Sequence, residues 1–374
     1  MRKTFQYKAQ LSKSVKRKAF NWLYLCRNLY NSCLEQRIIV YNQKKVGISG
    51  YTQAKELPLL KYEFPEYKEI NSQTLQAVTE KLQKSYDNFF RRLKNGETPG
   101  FPRFKGRDRY NSFVLKNTGW SLNKNNLIIN KVGRFKLFLS RPILGDIKRI
   151  TVKYTSNGWF VSFSCDNVPM NLLPQIDKEV GIDVGLKVFL ADSDGNFVDN
   201  PKFFRESERE LRVKQRSLAR KKLRSNRRKK CKKQVSRCHT KVKNRRLDFV
   251  NKLAKRYVDE NEVIYIEDLK IDNMVQNKHL SKSISDVSWG LFRQKLEFKA
   301  EEAGRLVISI NPRNTSQICL CDEMVPKTLA IRVHKCPSCG LEMDRDTLAA
   351  KNILRFGRFG QNHQALTRPI GLVA

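Results

Sequence analysis

The spacing of apolar residues changes three times along the chain, and the first pattern is helical. Between residues 11 and 98, apolar side chains recur every three or four positions, most clearly in NSQTLQAVTEKLQKSYDNFFRRLKNG. Such spacing places them on one face of a helix. Ser72 can cap the start of this helix, and Gly96 follows its last turn. Residues 11–98 are therefore predicted to form a helical domain.

The second pattern consists of short runs that alternate apolar and polar residues. Residues 99–177 contain NLIIN, RFKLFLS, IKRITVKY and GWFVSFSC, separated by turn signals. This arrangement is typical of a small antiparallel β-barrel or sandwich. The opening FQYKAQL alternates in the same way and can pair into the same sheet. Residues 1–10 and 99–177 are thus predicted to form one β-barrel, with the helical domain as an insertion.

The third pattern begins at EVGIDVG, where strand and helix signals alternate. It predicts an α/β core with a mixed sheet. Within it, residues 205–246 carry twenty Lys and Arg against three Glu, along a sparse apolar stripe. This predicts a long basic helical hairpin broken near Ser225–Asn226. A run of charge is usually only a solvated face, but the density here favours a surface that follows phosphates.

Composition strengthens the case for a polyanionic partner. Lys and Arg number 74 against 36 acidic residues, which gives a formal charge of +38. A compact fold with this excess repels itself unless a polyanion neutralises it, and nucleic acid does so while releasing condensed cations. No amphipathic anchor or apolar run near the ~18 residues of a membrane span accompanies the charge. We expect a cytoplasmic, nucleoid-associated protein without a membrane partner.

Three acids follow predicted strands or begin a predicted helix: Asp183, Glu267 and Asp346. Taken singly, they can be read as a turn former, a surface acid and a helix cap. Their order along the chain is instead that of the metal site of RNase H-like nucleases. Three neighbouring carboxylates would hold protons unless divalent cations occupy the site. Two Mg²⁺ or Mn²⁺ ions roughly 4 Å apart can activate water against a phosphodiester, so we predict a metal-dependent nuclease.

The nine cysteines predict a structural metal site where they cluster. Cys336 and Cys339 form a zinc knuckle, and Cys319 and Cys321 lie one residue closer together than is usual. The gap between the two pairs contains fourteen residues, close to the zinc-ribbon range. The alternatives are four reduced thiols, or His334 as a substitute ligand. Outside the cluster, apolar surroundings predict that three cysteines are core residues: Cys26, Cys33 and Cys165.

Taken in order, these segments resemble the TnpB family of transposon-encoded RNA-guided nucleases, relatives of the small type V CRISPR effectors. The resemblance runs along nearly the whole chain. It is carried by LCRNLYNSCLEQR, NSQTLQAVTEKLQKSYDNFFRR, GFPRFKGRDRYNSF, GIDVGLKVF, SLARKKLRSNRRKK…LDFVNKLA, IYIEDLKIDNM, NTSQIC, CPSCG and DRDTLAAKNIL. Two departures stand out: Leu348 where the family commonly has Asn, and CLC where it has Cys-x-x-Cys-Gly.

The resemblance implies a domain plan and a set of partners. Residues 1–10 with 99–177 would form a wedge barrel, 11–98 a helical recognition domain, 178–314 with 345–374 a RuvC-like nuclease domain, and 315–344 an inserted zinc ribbon. Asp183, Glu267 and Asp346 match the family's catalytic acids. Family members bind a noncoding guide RNA from the transposon end and cut double-stranded DNA beside a short motif.

The expected nucleic-acid contacts come from two basic segments. They are Arg103, Lys105, Arg107 and Tyr110, and then Arg227, Arg228 and Lys229. The aromatic residues of GFPRFK, Phe101 and Phe104, can equally be core residues. Two rival functions stay open at this point. The first is a guide-dependent DNA-binding repressor that does not cut. The second is a conventional transposase that acts without RNA. The oligomeric state is not determined by the sequence.

Overall fold

The computed structural model describes residues 1–107, 109–276, 281–328 and 330–365. The chain divides into two compact units, Met1–Pro169 and Met170–Ala374. The last nine residues of the nuclease segment predicted at 345–374 lie outside the described residues. None of the described helices combines the length and the apolar character that a membrane crossing requires.

The first unit combines one β-sheet with a group of helices. Its strands are β1 (Lys3–Leu11), β2 (Ser112–Leu115), β3 (Trp120–Asn123), β4 (Asn126–Ile129), β5 (Gly133–Phe138), β6 (Asp146–Thr155) and β7 (Gly158–Asp166). Its helices are α1 (Lys13–Lys44), α2 (Gly50–Lys55), α3 (Leu57–Glu63) and α4 (Ser72–Lys94), with a 3₁₀ turn at Pro65–Glu69.

The seven strands form an antiparallel sheet in the order β2-β6-β7-β1-β5-β4-β3. Strand β1 pairs with both β5 and β7, so the opening segment joins the sheet as predicted. Its alternating residues Phe5, Tyr7, Ala9 and Leu11 are buried in the core. Because β1 precedes the helices and β2 follows them, the helical segment is an insertion between two strands of one sheet.

Helix α4 follows the predicted apolar stripe, since Leu75, Val78 and Leu82 are buried. Its cap differs from the prediction by one residue. The side chain of Asn71, not Ser72, accepts the hydrogen bond from the backbone N–H of Gln73 at 2.9 Å. Ser72 is the first helical residue. Asn and Ser are nearly equal as caps, so adjacent candidates cannot be separated by residue type.

The second unit contains the mixed sheet. Its strands are β8 (Glu179–Val184), β9 (Val188–Asp192), β10 (Phe197–Asp199), β11 (Val263–Glu267) and β12 (Leu306–Ile310), followed by a small hairpin of β13 (Val333–Lys335) and β14 (Glu342–Asp344). Its helices are α5 (Phe203–Ala219), α6 (Asn226–Glu260), α7 (Ile271–Val275), α8 (Ser281–Val287), α9 (Trp289–Ala303) and α10 (Arg345–Ala365).

The five larger strands lie in the order β10-β9-β8-β11-β12. Strand β11 is parallel to β8 and β12, whereas β8 and β9 are antiparallel. One face of this sheet packs on α6 and α9, through a core that includes Val180, Ile182, Ile264, Leu253 and Phe292. The other face packs on α10, where Tyr265 contacts Ile353. The mixed α/β core is therefore confirmed, with its sheet covered on both faces.

The first unit ends earlier than the predicted boundary at residue 177. The contact boundary follows Pro169, because residues 170–177 bond to the second unit. The backbone N–H groups of Asn171 and Leu173 donate to the carbonyls of Glu302 and Ala303 at the end of α9, each at 3.0 Å. Arg305 donates to the carbonyl of Pro174 at 2.7 Å. The alternation of apolar and polar residues ends before residue 170. The strand pattern alone therefore could not show to which unit residues 170–177 belong.

The basic hairpin breaks where predicted. Ser225 caps α6 by accepting the backbone N–H of Arg228 at 3.1 Å. The guanidinium of Arg228 also donates to the carbonyls of Leu218 and Lys221, at 2.9 and 3.0 Å. Arg228 therefore stabilises the turn between α5 and α6. Only one guanidinium nitrogen, Nη1, makes these two bonds, so the contact of Arg228 with nucleic acid stays a prediction.

Candidate active site and metal-binding cluster

Two of the three predicted acids lie on the face of the mixed sheet that packs on α10, and the third lies on α10 itself. Along β8, Val180, Ile182 and Val184 belong to the core under α6 and α9, so Asp183 projects to the opposite face. Glu267 ends β11 and alternates with Tyr265, which also lies under α10. The parallel register pairs Ile182 with Ile266. The two acids thus leave adjacent strands at the same end of the sheet.

Asp346, the third acid, lies in the first turn of α10, which approaches β8 unusually closely. A Cβ atom on Gly181 would lie only 2.1 Å from the carbonyl oxygen of Ala350 in α10. Gly357 makes a similar contact further along the helix, since its Cβ would lie 2.0 Å from the ring of Tyr265. Glycine at these two positions lets the helix rest directly on the strands that carry Asp183 and Glu267.

The simpler roles considered for these acids do not match their surroundings. Asp344, not Asp346, caps α10, because its carboxylate accepts the backbone N–H groups of Asp346 at 2.8 Å and Thr347 at 3.2 Å. Glu267 is only 8% exposed and is not a surface acid. The helix-cap and surface-acid roles therefore do not apply to Asp346 and Glu267.

The three carboxylates interact electrostatically. Burial raises the pKa of Asp183 well above its usual value, and the negative charges of Glu267 and Asp346 raise it further, while Arg345 opposes them. Burial also raises the pKa of Glu267, against the effect of a hydrogen bond from Thr315. Neighbouring carboxylates with raised pKa values hold protons or cations. This donor set of hard oxygen ligands suits Mg²⁺ or Mn²⁺.

The acids are spread more widely than the ligands of a single ion. Among the described residues, only the cysteine cluster groups three or more candidate ligand atoms within 4.8 Å of one another. Two ions in one site lie roughly 4 Å apart, so ligands shared between them need not meet that limit.

Two arginines and a buried pair of polar residues were missed by the sequence reasoning. Arg332 and Arg345 each place a guanidinium nitrogen 3.7 Å from a carboxylate oxygen of Asp346. Thr315 donates its hydroxyl proton to Glu267 at 2.7 Å, and Asn352 supports Thr315. The motifs NTSQIC and DRDTLAAKNIL contain three of these residues, but the strings do not show which side chains meet.

The four clustered cysteines converge on one point. The sulfurs of Cys319 and Cys339 lie 3.6 Å apart, as do those of Cys321 and Cys336, and all four fall within 4.8 Å of one another. A tetrahedral ion with Zn–S bonds of about 2.3 Å needs sulfurs roughly 3.8 Å apart. The shortened Cys319-Leu-Cys321 pair therefore reaches the cluster, which can hold zinc.

His334 does not act as a substitute ligand. Its side chain is fully buried, and its Nδ1 pairs with the ammonium of Lys327. Because four sulfurs already complete the cluster, no place is left for the imidazole. The three cysteines predicted to be core residues are buried as expected: Cys26, Cys33 and Cys165.

The expected nucleic-acid residues have different surroundings. Arg103, Arg107, Arg227 and Lys229 are exposed. The backbone of Lys105 bonds to Asn31 at 2.7 and 3.1 Å. Tyr110 is only 5% exposed and belongs to the core of the first unit, with the ammonium of Lys81 lying 4.2 Å from its ring centre. The aromatic ring packs inward, and a contact of Tyr110 with RNA stays a prediction. Phe101 and Phe104 are about half exposed, at 47% and 52%.

Comparison of the sequence with known proteins shows the family to which the chain belongs. The family described as "OrfB_IS605: Probable transposase" matches residues 162–278, and "Cas12f1-like, TNB domain" matches residues 289–353. A Streptomyces pristinaespiralis protein named "Putative RNA-guided DNA endonuclease" is 31% identical over 348 residues, covering 88% of this chain and 83% of that protein. The chain belongs to the TnpB family.

Two further comparisons agree with this assignment. "Putative RNA-guided DNA endonuclease InsQ" of Escherichia coli K12 is 29% identical over 360 residues, which is 89% of this TnpB-family chain and 86% of InsQ. The solved "mini-RNA-guided endonuclease CRISPR-Cas_phi3" superposes with a TM-score of 0.50 at 11% identity, covering 99% of this chain and 93% of that one. At that identity the second comparison shows a similar fold and nothing further.

Proposed function

We propose that this TnpB-family protein is an RNA-guided DNA endonuclease of transposon origin that cuts double-stranded target DNA beside a short adjacent motif. The observation that carries the proposal is that Asp183 and Glu267 lie on adjacent strands under the helix that bears Asp346, close enough that both Glu267 and Asp346 raise the pKa of Asp183. The charge of +38 provides for two polyanionic partners, guide RNA and target DNA. The names of its relatives supply the reaction class.

The three acids would hold two Mg²⁺ or Mn²⁺ ions. When bound, such ions would lower the pKa of a water and stabilise the leaving oxygen of the phosphodiester. The protein's own contribution is to orient three carboxylates and to fix them on rigid elements. Arg332 and Arg345 place positive charge beside Asp346, each with a guanidinium nitrogen 3.7 Å from a carboxylate oxygen. Specificity for the target would come from guide pairing, while the protein holds backbones.

Sequencing the RNA that copurifies with the protein tests directly whether the protein binds a guide RNA. We expect a discrete transcript from the transposon end, and we expect the purified complex to cut a matching double-stranded DNA when Mg²⁺ is added. The control is the same complex with a target that mismatches the guide. Cutting that needs no RNA would favour a conventional transposase. RNA-dependent binding without any cutting would favour a guided repressor.

We further propose that the four clustered cysteines bind a structural zinc ion. The ion would stabilise the segment 315–344, which begins at the residue that contacts Glu267. Cys336→Ser is expected to reduce the zinc content from one ion per chain to near zero, because structural zinc sites almost always have four protein ligands. Inductively coupled plasma mass spectrometry of the purified protein measures this.

A suitable control for the zinc experiment is Cys231→Ser. Cys231 lies in the basic helix α6 and is not a member of the cluster, so this variant should keep its zinc. We also expect Cys336→Ser to lower the unfolding temperature of the second unit and to slow cleavage. Full zinc content in Cys336→Ser would contradict the zinc proposal without affecting the carboxylate proposal.

A further inference from the structure

Glu267 has a hydrogen-bond partner whose role the three-acid description does not explain. The hydroxyl of Thr315 lies 2.7 Å from a carboxylate oxygen of Glu267, and Thr315 is only 4% exposed. The same hydroxyl lies 3.2 Å from the carbonyl of Pro312. A hydroxyl has one proton to donate, and the shorter, charge-assisted bond is the stronger one. The proton is therefore directed at Glu267.

Thr315 is itself held by a residue of helix α10. Asn352 is fully buried, and its amide nitrogen donates to the carbonyls of Thr315 at 2.8 Å and Ile318 at 2.6 Å. Both amide protons are thereby used. A buried amide that donates both of its N–H groups to one loop fixes the position of that loop. Helix α10 thus determines where the Thr315 hydroxyl can lie.

Helix α10 also carries Asp346, six residues before Asn352. The rise of 1.5 Å per residue places the two about 9 Å apart along the helix. One rigid element therefore supplies the third acid and, through Asn352 and Thr315, orients the second. Gly181 fixes the same helix against the strand of Asp183. The spacing of all three carboxylates depends on the position of α10.

We propose that Thr315 and Asn352 are positioning residues that hold one oxygen of Glu267 so that its other oxygen points to the metal site. This inference rests on the proposed function, in which Glu267 is a metal ligand. Residues that orient a ligand in this way commonly change metal affinity 10- to 100-fold when they are removed. Neither residue touches DNA or metal in this scheme.

The test measures Mn²⁺ binding to the full guide complex by electron paramagnetic resonance, independently of cleavage. Thr315→Val keeps the shape of the side chain and removes the hydroxyl, and we expect the Kd for Mn²⁺ to rise about 10-fold or more. Thr315→Ser restores the hydroxyl and should keep the Kd within about threefold of the unchanged protein. The Mn²⁺ concentration for half-maximal cleavage should shift in parallel.

The matched control is Thr74→Val in the other unit. Thr74 is a buried threonine whose hydroxyl donates to the carbonyl of Val114 at 2.9 Å. Thr74→Val loses a comparable hydrogen bond away from the three acids, so its affinity for Mn²⁺ should not change. Should Thr315→Val fail to fold, Thr315→Ala provides the same comparison with Thr315→Ser. Equal Mn²⁺ affinities for the variants with and without the hydroxyl would overturn the inference.

The two proposals fail in different ways. If Asp183→Ala still cleaves guided targets, the three-carboxylate function is wrong. If Asp183→Ala is inactive while Thr315→Val binds Mn²⁺ as the unchanged protein does, only the positioning inference is wrong.

Discussion

Asp183→Asn is expected to lower guide-dependent cleavage by roughly three orders of magnitude, since it removes a charged ligand from a site that acts through electrostatic stabilisation. The amide is nearly the same size as the carboxylate, so the fold and the binding of guide RNA and target should persist. Single-turnover cleavage and a DNA-binding assay on the same preparation separate the two effects.

The same substitution should stabilise the metal-free protein. The pKa of Asp183 is raised in the folded state by burial and by Glu267 and Asp346, so the fold binds the proton more tightly than the unfolded chain. Stability therefore falls as the pH rises from the unfolded pKa through the folded one. Asparagine removes that loss, so a gain of about 0.5–2 kcal/mol is expected at neutral pH. The gain should shrink toward acidic pH.

Asp194→Asn is the control for both measurements. Asp194 lies in the exposed turn after β9 and pairs with Lys178 at 2.9 Å. Exposed ion pairs contribute little, so neither cleavage nor stability should change appreciably. Cleavage by Asp183→Asn at the normal rate would rule out the assignment of Asp183 as a metal ligand.

The acids could be predicted because they obey local rules. Strand alternation alone separates Asp183 from Val180 and Ile182, and the buried strand before Glu267 places it at a carboxyl-terminal edge. The residues that support them follow no such rule. Gly181 has an ordinary strand position, and only the packed helix shows that a side chain there would meet a carbonyl. Thr315 and Asn352 are far apart in sequence and meet only in the fold.

The same limit applies to two residues that were predicted to contact nucleic acid. The sequence of a charged segment does not show whether one of its basic or aromatic residues faces solvent or packs against the protein. Arg228 donates to carbonyls of its own turn, and Tyr110 packs in the core. The cysteine pair shows the converse case. Its spacing of one residue was atypical, yet its two sulfurs reach the cluster.

Gly181→Ala is expected to have the second largest effect, through the position of α10. The new methyl group would lie 2.1 Å from the carbonyl oxygen of Ala350 and 2.6 Å from the backbone nitrogen of Leu354. Backbone atoms cannot rotate away as a side chain can, so the helix must shift by about 1 Å. Overpacking of this kind costs about 1–3 kcal/mol, and a displacement of ~1 Å can reduce cleavage about 100-fold. Thermal unfolding and single-turnover cleavage measure the two consequences.

Two glycines of α10 itself provide the comparison. A Cβ on Gly360 meets no atom within 4 Å, so Gly360→Ala should stabilise the helix by up to about 1 kcal/mol and leave cleavage intact. Gly357→Ala meets the ring of Tyr265 rather than backbone, so adding Tyr265→Leu should restore part of the lost activity. No side-chain change can relieve Gly181→Ala in this way. If Gly181→Ala cleaves as well as Gly360→Ala, close contact between β8 and α10 does not set the spacing of the acids.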